Sequence, residues 1–139
     1  AETHREWPQF YRQIVHETGH NLLFAIARDE PLTAADASVR RRSPLRQDPR
    51  PLDGIFHAAY VSAREAVALE ALLQQHEHRG NLSQEEVGAV HEALELSVVA
   101  FWDCVQTLRD DDDGPTALGS VVLADCERFM SENFALEPC

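Results

Sequence analysis

Apolar residues recur at intervals of three and four through most of this chain, and β-branched residues nowhere alternate with polar ones over a useful length. That rhythm commits the chain to helices. Trp7, Phe10, Tyr11, Ile14, Val15, Leu22, Leu23 and Ile26 trace the first. A capping box of Thr3 and Glu6 opens it, Pro8 fits its first turn, and it should end near Arg28 to Glu30, ahead of Pro31. Leu52, Ile55, Phe56, Ala59, Val67, Leu69, Leu72 and Leu73 mark a second helix. Pro51 starts it, and Arg79-Gly80-Asn81 stops it after about His78. Ser83 with Glu86 is another capping box and opens a third helix through Val87, Val90, Leu94, Val98, Phe101, Trp102, Val105 and Leu108. Asp110–Asp113 and Gly114-Pro115 break it, and Thr116 caps a fourth that reaches Asn133 or Phe134. Mostly short connections predict antiparallel neighbours. The expected fold is all-α, a compact four-helix bundle-like domain spanning residues 1–139 as one helical metal-binding unit.

The exception is the connection between helices 1 and 2. Residues 31–51 hold four prolines (Pro31, Pro44, Pro49, Pro51) and five arginines (Arg40, Arg41, Arg42, Arg46, Arg50), with a short helical turn expected around Thr33–Ala37. Loops this long inside small domains are uncommon and often functional. The chain is otherwise acidic, with 24 Asp+Glu against 12 Lys+Arg and a formal net charge of −12. Every cation is an arginine. That balance argues against nucleic-acid binding, which needs a basic face. A local reversal of charge in the connection suits an anionic co-substrate or an acidic peptide.

The longest apolar run, Leu22–Ala27, is far short of the ~20 residues a membrane span needs. Cys104, Cys126 and Cys139 are odd in number and lack C-x-x-C spacing, so no disulfide framework is expected. They read as thiols in a reducing, cytoplasmic setting, and no signal-peptide pattern stands at the N-terminus.

One motif carries chemistry: His16-Glu17-Thr18-Gly19-His20, an H-E-x-x-H on a helix. Residues at i and i+4 share a face, so two imidazoles can converge on one metal ion. Glu17 beside them can take a proton from metal-bound water or orient a ligating group. Two ligands hold a metal poorly, so a third is needed. The metzincin continuation fails, because Leu23 and Ile26 stand where a glycine and a histidine would be required. Glu65, in Ser62-Ala63-Arg64-Glu65, is a poor match to the gluzincin pattern. His57, early on helix 2, is the better candidate, with a carboxylate such as Glu65 as the alternative. Arg64 lies two helical turns beyond His57 and could hold a carboxylate in the same pocket. His4, His76, His78 and His91 read as structural or solvent-facing residues.

The pairing of His16-Glu17-x-x-His20 with Arg46-Gln47-Asp48-Pro49-Arg50-Pro51-Leu52-Asp53-Gly54-Ile55-Phe56-His57 resembles the family of HExxH-motif peptide-modification proteins, understood as iron- and 2-oxoglutarate-dependent peptide β-hydroxylases. The match covers roughly residues 12–62, and its second block is the more specific part. The resemblance implies Fe(II) held by His16, His20 and His57, with Arg50, Arg46 or Arg64 holding the distal carboxylate of 2-oxoglutarate. It also implies hydroxylation of an unactivated C–H bond in a peptide or a small amino-acid-like substrate. A small zinc peptidase, with Glu17 as general base, explains H-E-x-x-H equally well but leaves the arginine–proline block unexplained. A homo-oligomer or a partner domain is compatible with either.

Overall fold

A computed structural model describes residues 3–28, 30–33, 40–41, 50–111 and 114–134. The side chains of residues 3–9, 40, 41 and 50 lie outside that description, so the Thr3–Glu6 capping box, Pro8 in the first turn and the side chain of Arg50 do too. Arg46 and the rest of residues 34–39 and 42–49 are likewise outside the described residues.

Four helices carry the described chain: α1 (Thr3–Ile26), α2 (Leu52–Arg79), α3 (Gln84–Asp110) and α4 (Ala117–Asn133). Their ends follow from local chemistry. Pro51 precedes α2 as its N-cap, and Gly80 closes it with φ 61 and ψ 34, donating its N–H to the His76 carbonyl. His76 also accepts the Leu82 N–H at its Nδ1, a structural use of that ring. The Ser83 hydroxyl accepts from Glu86 N–H while the Glu86 side chain accepts from Ser83 N–H, the reciprocal box expected for α3. Thr116 caps α4 by accepting from Gly119 N–H.

The connection, expected as a long loop with one short helical turn, departs from that reading in two places. Arg40–Arg41 (β1) and Arg50–Pro51 (β2) pair antiparallel, Arg40 opposite Pro51 and Arg41 opposite Arg50. Two residues a strand is too short for any alternating pattern, which is why the pairing is invisible in the sequence. Thr33 does not open a helical turn but bridges Pro115, and 34–37 lie outside the described residues. The reason is packing. Leu32 is fully buried, its carbonyl accepts from Thr116 N–H, and the Thr116 hydroxyl donates to the Pro31 carbonyl.

α2 is the central element, packed most extensively on α3 and next on α1. Phe56, Ile55, Leu52 and Leu69 of α2, Phe101 and Leu108 of α3, Leu23 of α1 and Met130 of α4 fill one core. A bidentate ion pair of Arg109 with Glu127 links α3 to α4. No helix among the described residues is long and apolar enough to cross a membrane.

Candidate metal centre

α1 and α2 run antiparallel, as their contacts show. Tyr11 donates to the Ala68 carbonyl at 3.3 Å, Arg12 and His16 meet Glu65, Gly19 lies against Val61, and His20 meets His57. The two helices pass closely at Gly19, where an added Cβ would stand 3.2 Å from Val61 Cγ2. The glycine inside H-E-x-x-H therefore sets the depth at which α1 settles on α2.

Just above that contact the polar groups converge. His16 Nδ1–H donates to Glu65 Oε1 at 2.8 Å, Arg12 Nε–H to Glu65 Oε2 at 2.9 Å, and the Ser97 hydroxyl to Glu65 Oε2 at 3.0 Å. Glu65 is only 4% exposed, so these donors from α1 and α3 replace the water its carboxylate gives up. As a carboxylate it only accepts, which fixes the proton of a neutral His16 on Nδ1 and leaves Nε2 with its lone pair. His16 Nε2 lies 3.2 Å from His20 Nε2.

His57 is 6% exposed and lies beside His20, the rings nearly parallel with centroids 5.2 Å apart. The contact is made at the far edge of His20: His57 Nδ1 is 3.0 Å from His20 Nδ1. His57 Nε2 in turn lies 3.7 Å from Asp53 Oδ2, one turn earlier on α2. Phe24 rests on His57 with ring centroids 4.8 Å apart, although it is itself mostly exposed.

The three histidines singled out from the sequence are thus brought together, but in a line. The order is Glu65, His16, His20, His57, Asp53. Among the described residues, no group of three or more His, Cys, Asp or Glu side chains is disposed to hold a metal ion. Two donors at about 2.0–2.1 Å from one ion stand roughly 2.9–3.4 Å apart, and the two Nε2 atoms meet that condition. Glu65, the alternative third ligand, is committed to the opposite ring nitrogen of His16 and so serves as that ring's orienting carboxylate.

An open cleft of about 270 Å³ lies at this end, lined by Arg12, Gln13, His16, Glu17 and Glu65. Glu17 is exposed there, as a proton-accepting group would need to be. Arg64 is elsewhere, which corrects its expected place beside His57. It lines a second cleft with Ile14, Val15, Thr18, Val67 and Ala68, and its guanidinium carbon stands 5.9 Å from the centre of the Tyr60 ring. Adjacent residues on a helix diverge by about 100°, so Arg64 and Glu65 emerge on opposite flanks of α1. The arginine at the histidine cleft is Arg12, which the sequence reading passed over. A signal for it existed, since Arg12 precedes His16 by the same four residues that separate His16 from His20.

No protein-family model matches the chain, and no curated protein matches it.

Proposed function

We propose that this chain is a non-haem Fe(II)- and 2-oxoglutarate-dependent oxygenase that hydroxylates an unactivated C–H bond, at a β-carbon, of a peptide residue or an amino-acid-like substrate. The observation that carries this reading is the pair of Nε2 atoms 3.2 Å apart, with the His16 ring held from behind by a buried carboxylate. An all-imidazole donor pair suits a divalent transition ion. His16 and His20 would be its protein donors, the third one expected from the sequence not being assembled among the described residues, and the arginine–proline block that separates this reading from a peptidase leads directly into the helix bearing His57.

When bound, Fe(II) with 2-oxoglutarate and oxygen supplies the oxidising power for C–H hydroxylation. The chain's own residues do the rest. Glu65 keeps His16 in the ligating tautomer, and Arg12 and Ser97 keep Glu65 in place. Arg50 and Arg46 are proposed for the distal carboxylate of the co-substrate, a bidentate task suited to a guanidinium. Glu17, which lines the cleft beside His16, is proposed to move a proton to or from solvent.

Glu17 also favours the second reading, a zinc peptidase, because it opens onto the same cleft as His16. One experiment separates the two. Protein prepared anaerobically is loaded with Fe(II) and 2-oxoglutarate, then exposed to oxygen and a peptide pool, and succinate is measured. Succinate formation that is lost in His16→Ala and His20→Ala supports the oxygenase. Absence of 2-oxoglutarate binding, together with peptide cleavage by the zinc-loaded protein, overturns it in favour of the peptidase.

A further inference from the structure

The line of three imidazoles has a direction, and that direction gives His57 a different task from the one its position in the sequence suggests. We infer that His57 is the positioning residue for His20, holding that ring at Nδ1 as Glu65 holds His16, and that it is not itself a metal donor. The inference rests on the metal reading above.

The geometry makes the case from both ends. The two nitrogens of an imidazole point to opposite edges of the ring. A group seated on His20 Nδ1 at 3.0 Å therefore cannot share an ion with His20 Nε2, which faces His16. The opposite arrangement, with all three rings around one centre, would bring three donors together, and no such group exists among the described residues. His57 is also held where it is, buried on α2 and covered by Phe24. Each histidine of the H-E-x-x-H pair is thus backed at Nδ1 by a buried residue of α2, His16 by Glu65 and His20 by His57.

A consequence follows for the protons. With all three rings neutral, His16 carries its proton on Nδ1 toward Glu65, so the hydrogen between the two Nε2 atoms belongs to His20. His20 Nδ1 then accepts, and His57 donates from Nδ1. An ion held by His16 and His20 would take the place of that hydrogen. His20 must then carry its proton on Nδ1 and donate to His57, whose own proton moves to Nε2, facing Asp53. Loading the site shifts two tautomers by one position each and leaves every imidazole neutral.

Nitrogen-15 NMR of the histidine side chains in the full chain reads this directly, first metal-free and then with Cd(II) alone as the probe, using the magnetically active isotope 113. Without metal, a through-hydrogen-bond coupling between His57 Nδ1 and His20 Nδ1 is expected, with the proton on His57 Nδ1. With Cd(II), cadmium couplings are expected at His16 Nε2 and His20 Nε2 and not at His57, whose protonated nitrogen changes from Nδ1 to Nε2. His57→Ala should lower Cd(II) affinity about 10–100-fold while keeping both couplings, and His57→Gln, which can still accept from His20, should recover part of that loss. A cadmium coupling at His57 overturns this inference and leaves the metal reading standing. No coupling at any imidazole overturns the metal reading and this inference together.

Discussion

Glu65 concentrates more of the site's order than any other residue, because donors from two other helices end on its two oxygens. Removing it strands Arg12, His16 and Ser97 at once. Glu65→Ala should cost about 2–4 kcal/mol of stability, at the lower end of what breaking buried pairs costs since Arg12 retains some access to water. Urea unfolding checks this, and a loss below about 1 kcal/mol would mean the network relaxes around the gap. That His16 and His20 would face one point was legible from their four-residue spacing. The partnership of Glu65 was not, since it depends on which flank of α2 meets α1 and no spacing within one helix encodes that. Cys126 offers a separate check. Burial, reinforced by Asp125, pushes its thiol up to about 11 from an ordinary 9.0. The unfolded chain loses this proton first, so stability should fall as pH rises from about 9 to 11, by on the order of 2–3 kcal/mol at most. Cys126→Ser should flatten that slope in denaturation curves taken across the range.

Among the elements, α1 shows where periodicity informs and where it misleads. Its apolar residues recur as a core-facing stripe should, yet Phe10, Ile14, Leu22 and Ile26 are exposed, and of those eight apolar residues only Leu23 is described as fully buried. The seam turned toward α2 holds Tyr11, Arg12, His16, Gly19 and His20, with Leu23 in the core beyond them. A helix that turns polar groups inward while exposing apolar ones gives up burial energy, a pattern expected where function overrides packing. Leu23→Ala should therefore cost about 2–5 kcal/mol, while Ile14→Ala should stay within about 0.5 kcal/mol; equal losses in thermal melts would contradict the orientation of α1. The boundaries of α2, α3 and α4 were legible because capping is local chemistry, readable from a serine, a threonine or a glycine and its neighbours. Gly119 marks what local chemistry leaves out. A Cβ there would overlap the Leu32 carbonyl, a contact between segments some 90 positions apart in the chain. Gly88, inside α3, has nothing within 4 Å of its own added Cβ. Gly119→Ala should lower the melting temperature, with a cost above about 2 kcal/mol, and Gly88→Ala should raise stability by about 0.5–1 kcal/mol.

At the scale of the whole molecule, the ends of α2, α3 and α4 follow rules the sequence states openly, and the connection between α1 and α2 does not. Its described parts are held by backbone pairing, Arg40–Arg41 with Arg50–Pro51 and Thr33 with Pro115. Backbone pairing leaves little trace in side-chain patterns, which is why a helical turn at Thr33 was expected and a bridge is found. Charge acts on the same scale. A net charge of −12 spread over 139 residues repels itself more in the folded chain than in the expanded one. Among the described residues the arginine–carboxylate pairs that oppose this are Arg12–Glu65, Arg109–Glu127 and Arg128–Asp125. Salt should therefore stabilise the fold. Raising NaCl from about 10 mM to about 150 mM shortens the screening length from about 30 Å to about 8 Å, below the span of the bundle, and should raise the melting temperature by a few degrees. The opposite result would be informative in a specific way. A melting temperature that falls with salt would mean that the ion pairs, Arg12–Glu65 foremost, contribute more to the fold than its excess of acid takes away.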